Sequence, residues 1–201
     1  MTDLHGPVRK FVEAFSRLPS IGPRQATRLA FHLLRLGPAA VRDIREALDS
    51  LDDAKLCARC FFAHRNNRPL CDICCDQSRD QRRIAVIERE TDLLSLEAAN
   101  AYHGRYFILG GGRNGTDADA LHGKRLMELK RQIADEYGGR VDEIVLALNP
   151  TAYGDIALES IVKDLQPFAV AISQLGRGIP MGGEIEFADE DTLREALKRR
   201  S

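Results

Sequence analysis

Ile84-Ala85-Val86-Ile87-Glu88 decides how this chain folds. Four apolar residues in a row, with no polar alternation, mark a strand buried on both faces, and such strands belong to parallel sheets covered by helices. The run ends on a carboxylate. Toward the C-terminus the pattern repeats: a helix expected around residues 92–99, then a strand, Arg105-Tyr106-Phe107-Ile108-Leu109, running into Gly110-Gly111-Gly112. A helix around 121–137 follows, with Leu126, Leu129 and Ile133 on one face. Next come a strand over 143–148 ending at Asn149-Pro150-Thr151, a helix carrying Ile161, Val162 and Leu165, and a strand over 168–172. Strands alternating with helices predict a parallel α/β sheet with right-handed crossovers. Functional groups belong at the carboxyl ends of such strands, where Glu88, the three glycines and Asn149 fall. The glycine run lacks the G-x-G-x-x-G spacing and no helix starts directly after it, so it reads as a flexible loop rather than a dinucleotide site.

Before this sheet stand two cysteine pairs, Cys57-Ala58-Arg59-Cys60 and Cys71-Asp72-Ile73-Cys74. Each has the C-x2-C spacing of a metal knuckle, and together they supply the closed four-thiolate shell of a structural zinc site, one ion per chain. A fifth thiol, Cys75, leaves the fourth ligand open between Cys74 and Cys75. His64 reads as a surface side chain. A catalytic zinc site keeps only three protein ligands and a water, and nothing here has that form.

Further upstream, Val8, Phe11, Val12, Phe15 and Leu18 follow the spacing of an amphipathic helix. Leu18-Pro19-Ser20-Ile21-Gly22-Pro23 interrupts it, because two prolines and a glycine cannot continue a helix. A second helix starts at Pro23 or Arg24 and buries Ala26, Leu29, Ala30 and Leu33; Val41, Ile44, Leu48 and Leu51 suggest a third. Helix, short Pro/Gly turn, helix is the pattern of a helix-hairpin-helix. Gly22 lets the chain approach a phosphate closely, Ile21 stands beside it in the candidate DNA-binding turn, and the N–H groups of the next helical turn point at the phosphate. Arg24, Arg28 and Arg35 share one helical face and add phosphate contacts without reading sequence. The same residues also describe a plain helical hairpin with a solvated arginine face.

The formal net charge of −1 hides an asymmetry: residues 1–83 hold 15 Lys and Arg against 10 Asp and Glu, while residues 84–201 hold 14 against 20. A basic half joined to an acidic half suggests nucleic acid at one end and something else at the other. No apolar run is long enough for a bilayer and the N-terminus lacks a signal peptide's apolar core, so a cytoplasmic protein with no membrane partner is expected. In that reducing compartment clustered cysteines point to metal rather than disulfides. In the tail, residues 184–188 read as a short strand, and Asp189 as the cap of a last helix ending Lys198-Arg199-Arg200, packed on a neighbouring subunit or on its own domain.

A strand ending in Glu, with a later strand whose end should carry acids, resembles a Toprim domain. In catalytic members of that family the glutamate and an Asp-x-Asp pair hold Mg²⁺ for strand cleavage or primer synthesis. Here Glu88 matches the glutamate, but the pair is replaced by Asn149-Pro150-Thr151, and the nearest acid is Asp155. The order of parts, together with Leu18-Pro19-Ser20-Ile21-Gly22-Pro23, the four cysteines, Asn149-Pro150-Thr151 and the stretch Gly178-Ile179-Pro180-Met181-Gly182-Gly183-Glu184-Ile185-Glu186-Phe187-Ala188-Asp189-Glu190, resembles the bacterial RecR recombination mediators along essentially the whole chain. Tyr153 departs from the family's glutamate, and Arg113-Asn114-Gly115-Thr116-Asp117 from its usual loop. The resemblance implies an α/β protein in four parts: a helix-hairpin-helix over 1–55, a four-cysteine zinc module over 56–77, a Toprim domain over 80–175 and an oligomerisation tail over 176–201. It implies a non-enzymatic role in DNA repair. Acting with RecO and RecF, such proteins help load RecA onto single-stranded DNA covered by single-strand-binding protein; a dimer or ring tetramer that binds single- and double-stranded DNA is implied, the ring able to encircle DNA. Glu88, Asn149 and Asp155 would then serve partner docking or weak Mg²⁺ binding. The alternative reading is a Mg²⁺-dependent Toprim nuclease or primase-like enzyme.

Overall fold

Proline and glycine set the helix boundaries near the N-terminus. A computed structural model of the chain describes residues 6–110, 116–176, 179 and 182–198, which divide into two compact units, Met1–Ala54 and Lys55–Ser201. In the first unit, α1 (Pro7–Phe15), α2 (Pro23–Leu36) and α3 (Pro38–Asp49) each begin on a proline, whose missing N–H costs nothing in the first turn. Gly37, at φ 91°, ends α2 and starts α3, a conformation costly to any residue with a Cβ. Its N–H closes α2 on Leu33 O at 3.2 Å. Leu18 to Ile21 form the connecting turn, with Ile21 N–H donating to Leu18 O at 3.2 Å and Ser20 in the left-handed region. The expected stripe of α2 is buried fully only at Ala26 and Ala30, while Leu29 and Leu33 are half-buried. The three helices leave an apolar groove of about 360 Å³ between Val8, Phe11, Phe15, Leu33, Ile44 and Leu48.

The second unit opens with a two-residue antiparallel pair, β1 (Lys55–Leu56) and β2 (Ala63–His64), and one helical turn, α4 (Asp72–Cys75). Then follow β3 (Asp80–Ile87), α5 (Glu90–Ala99), β4 (Gly104–Ile108), α6 (Thr116–Tyr137), β5 (Val141–Ala147), α7 (Pro150–Leu165) and β6 (Ala169–Gln174). The sheet order is β4-β3-β5-β6 and every pairing is parallel, with Ile84 opposite Arg105 on one side and Ile144 on the other. Alternate residues of the central strands feed two cores. Ile84, Val86, Phe107, Leu109, Ile144 and Leu146 pack on Leu129 and Ile133 of α6 and Leu158, Ile161 and Leu165 of α7. Ala85, Ile87, Tyr106 and Ile108 pack on Leu93 of α5. Each large aliphatic side chain so buried stabilises the fold by roughly 1.5–3 kcal/mol.

β3 starts four residues earlier than its apolar run. Asp80 to Arg83 are polar and largely exposed, yet they continue the ladder through an irregularity between Asp80 and Ile84. The tail also differs from expectation. Residues 184–188 alternate like a strand, but they close a 3-10 turn, Ile185–Phe187, with Phe187 N–H on Glu184 O at 3.2 Å. No described strand lies alongside to complete a ladder there, so the backbone satisfies itself locally. The C-terminal strand is β6, and the tail ends in α8 (Glu190–Lys198), started by Asp189, whose carboxylate accepts Thr192 N–H at 2.9 Å. Gly111, Gly112, the 113–115 part of the loop, Gly178, Pro180, Met181, Arg199 and Arg200 lie outside the described residues.

Candidate metal centre and nucleic-acid interface

The cysteine module is built by two tight turns brought face to face. Phe61 stands in the left-handed region at φ 64°, reversing the chain after Cys60. The second knuckle is the single turn of α4. The sulfurs of Cys57, Cys60, Cys71 and Cys74 all lie within 4.8 Å of one another, and all four residues are buried. Tetrahedral coordination at ~2.3 Å places sulfurs about 3.8 Å apart, and Cys60 Sγ is 3.6 Å from Cys71 Sγ. This separation is far beyond a disulfide bond of about 2.05 Å. Backbone N–H groups donate to two of the sulfurs, Phe62 to Cys60 at 3.4 Å and Cys71 to Cys57 at 3.3 Å, which favours thiolate over thiol. Cys75 stands apart, its sulfur donating to Leu70 O at 3.9 Å.

Protonation without a metal is divided. Hydrogen bonding from Cys60 draws the Cys57 thiol down, whereas the bond to Cys57 pushes Cys60 and Cys74 up. Four crowded thiols cannot all ionise together, and a divalent cation removes that conflict. The set can hold a metal ion. His64 is half-buried rather than on the surface, and its Nδ1 accepts Asn66 N–H at 3.2 Å.

The module is fixed to the sheet. Ile108 N–H donates to Cys60 O at 3.1 Å, covering the edge of β4, and Phe61 meets Phe107 edge-to-face with centroids 5.4 Å apart. Arg59, inside the first pair, donates to Glu136 Oε2 at 2.8 Å and to Cys74 O at 3.4 Å, and Gln132 Nε2 donates to Arg59 O at 3.2 Å. Arg105, 2% exposed within β4, faces the same Glu136 at 3.8 Å and donates to the Tyr137 hydroxyl. Burial, and then Arg59, hold its guanidinium below the usual arginine range. Sequence reasoning passed over this cluster. Its only signal was an arginine in an otherwise apolar strand.

The carboxyl ends of β3 and β5 form a second candidate region. From β3 the chain crosses to β4 on one side, while β5 and β6 lie on the other, so the crevice between β3 and β5 is the switch point where open α/β sheets bind ligands. Glu88 and Asn149 end these two strands. Glu88 is 2% exposed, accepts Asn149 Nδ2 at 3.0 Å on one oxygen and pairs with Arg89 at 3.2 Å on the other. An amide thus occupies the place from which a second carboxylate would share a cation. Asp155 falls within α7, and its side chain is outside the described residues. Asn149→Asp puts two carboxylates in contact, lowering stability by about 1–3 kcal/mol. Thermal melts should show this loss and its partial recovery in millimolar Mg²⁺, while the unmodified chain melts at the same temperature with or without Mg²⁺.

In the N-terminal unit, Ala26 N–H makes the first α2 bond, to Gly22 O at 2.9 Å, so the N–H groups of Arg24 and Gln25 precede the helical ladder. Arg24, Arg28 and Arg35 are exposed, and none of the three is ion-paired among the described residues. Ile21 is half-buried. Gly22 sits at φ −81° and ψ 167°, a conformation open to any residue, with nothing within 4 Å of where a Cβ would be.

Comparison with known proteins matches three stretches of the chain in order. Residues 8–51 fit the family described as RecR, helix-hairpin-helix, residues 82–176 fit the Toprim domain, and residues 178–201 fit RecR, C-terminal. Recombination protein RecR of Frankia alni is 37% identical over 199 residues, spanning 97% of this chain and 96% of its own. The chain belongs to the RecR family. The RecR proteins of Chloroflexus aggregans, 37% identical over 195 residues with 96% and 93% of the two chains covered, and of Cutibacterium acnes, 35% identical over 196 residues with 97% and 95% covered, are similar throughout. RecR membership places the chain in recombination and repair of DNA, with a Toprim sheet and a helix-hairpin-helix. No described helix is long and apolar enough to cross a membrane.

Proposed function

We propose that this chain is a non-enzymatic, DNA-binding recombination mediator, stapled by one structural zinc ion, that acts with RecO and RecF to bring RecA onto single-stranded DNA held by single-strand-binding protein. The observation that carries the reading is the α2 terminus: an exposed arginine face with no ion-pair partner among the described residues, beside a helix start whose first N–H groups precede the helical ladder and can meet a phosphate. Gly22 adds to it. Neither backbone strain nor crowding by the described residues requires glycine there, which suits close approach of an external group. Zinc fits the four thiols by number, type and spacing, and would cross-link the two turns.

A role without catalysis is supported by the strand ends, where Asn149 hydrogen-bonds Glu88 in place of the paired acids a Mg²⁺ enzyme needs. The same crevice suits docking of a protein partner such as RecO, with the exposed Asn149 at its rim, Glu88 buried behind it and Asp155 following in α7. The unfilled groove of the N-terminal unit and the exposed Ile185 and Phe187 suit assembly of copies into a dimer or ring tetramer.

The test is equilibrium binding to single- and double-stranded DNA across a salt series, with and without RecO, alongside mass in solution. Sequence-indifferent binding that weakens steeply with salt is expected. Absence of DNA binding, or Mg²⁺-dependent cleavage lost in Glu88→Gln, overturns the reading. Gly22→Ala is expected to leave the melting temperature nearly unchanged, since the roughly 0.4–1 kcal/mol gained from a stiffer unfolded chain is offset by loss of glycine at the α2 N-cap, while weakening DNA binding about 3- to 10-fold. Parallel melts and DNA titrations of the variant check this.

A further inference from the structure

We propose that Arg105, held in place by Glu136 and Tyr137, is a positioning and charge-compensating residue of the four-thiolate metal centre, with Arg59 as its partner. The inference rests on the zinc reading above. Its starting point is an imbalance of charge. Arg59 lies 2.8 Å and Arg105 3.8 Å from the one carboxylate of Glu136. Two guanidinium groups share a single anion, and Arg105 is 2% exposed, so water does not settle the difference. The Nε of Arg105 is buried with no hydrogen-bond partner among the described residues. A buried cation left short of counter-charge is costly unless another anion lies nearby.

The anion is at hand. Arg59, which shares Glu136 with Arg105, donates to the carbonyl of Cys74 at 3.4 Å, and ionised Cys74 and Cys60 would favour the charged form of the Arg105 guanidinium. Four thiolates around a divalent cation carry a net charge of about −2. The surplus positive charge of the Arg59–Glu136–Arg105 cluster offsets part of it. Positive charge beside metal-bound thiolates lowers their electron density, makes them poorer nucleophiles and slows loss of the ion. Arg105 thereby ties the metal centre to β4 and α6 and guards its sulfurs. If the cluster were only a tether, an uncharged side chain of similar length at 105 would serve equally, and removal of the Glu136 charge would loosen the module.

The experiment uses the full-length protein as purified. Zinc content is measured first, and then the rate at which N-ethylmaleimide releases zinc to a chromophoric chelator. Arg105→Met should release zinc about 10-fold faster, and Arg105→Lys should stay close to the unmodified protein. Glu136→Gln, which frees both guanidinium groups to face the sulfurs, should release zinc more slowly. Opposite signs for Arg105→Met and Glu136→Gln support charge compensation. Acceleration in both, or no change in Arg105→Met, overturns it in favour of a tether. If Arg105→Met fails to fold, Glu136→Gln decides: slower release supports the inference, and unchanged or faster release overturns it. Purified protein without zinc overturns this inference and the zinc reading together, whereas zinc at one per chain with indifferent rates overturns this inference alone.

Discussion

Cys74→Ser is expected to abolish metal binding by the cysteine cluster and to loosen the module, whereas Cys75→Ser should change neither metal content nor stability. The two residues are neighbours of the same type, yet the first lies in the cluster within 4.8 Å of three other sulfurs and the second bonds a carbonyl outside it. A structural zinc contributes on the order of 10–16 kcal/mol of apparent binding energy, and a neutral hydroxyl in place of one thiolate forfeits much of it. The loss spreads, because the same loop caps β4 through Ile108 N–H on Cys60 O and seats Phe61 against Phe107. Elemental analysis should therefore find about one zinc per chain in Cys75→Ser and almost none in Cys74→Ser. The thermal transition of Cys74→Ser should fall to that of unmodified protein treated with a chelator. Acid acts in the same direction. Thiols must shed their protons to bind metal, so a zinc ion held here should be retained at neutral pH and released as pH falls. The opposite pattern, with Cys75 required and Cys74 dispensable, would sink the assignment.

The sheet was largely legible in the sequence and the metal centre's surroundings were not. Ile84 to Ile87 have no polar interruption because β3 is flanked by β4 and β5 and covered on both faces. That burial imposes a local signature. The choice between Cys74 and Cys75 left no such mark, since adjacent positions differ only in the direction of their Cβ atoms, which the turn of α4 sets. Residues 184–188 misled for the converse reason: alternation suits a strand, but a strand also needs a partner, and none adjoins it among the described residues. The cluster of Arg59, Arg105 and Glu136 was invisible because its members lie far apart in the chain and meet only when α6 crosses the sheet. Gly22 was legible as a turn signal, while its lack of any internal necessity emerges only from the open space around it.

Joint replacement of Arg24 and Arg28 by Ala should cost about 10- to 100-fold in DNA affinity near physiological salt, about 1.4–2.7 kcal/mol. Both side chains project from the first turns of α2 into solvent without an ion-pair partner among the described residues, so nothing in the fold depends on them. Alanine is the better helix former, and the melting temperature should hold or rise slightly. A fall in affinity alone would not identify phosphate contact, since any distortion of the interface weakens binding. The salt dependence does. Each duplex phosphate neutralised releases condensed counterions and contributes about −0.9 to the slope of log affinity against log salt. Losing two contacts should flatten that slope by about 1.8, equally for any duplex sequence, because phosphates carry no base information. Arg42→Ala on α3, also exposed, serves as the control for a general loss of positive charge and should leave the slope nearly unchanged. If the double variant binds with the original affinity and slope, DNA engages another surface and the arginine face of α2 is ordinary solvated helix. If affinity falls while the slope holds, the arginines support the hairpin's shape rather than touch the backbone, and the N–H groups beside Gly22 carry the phosphate alone.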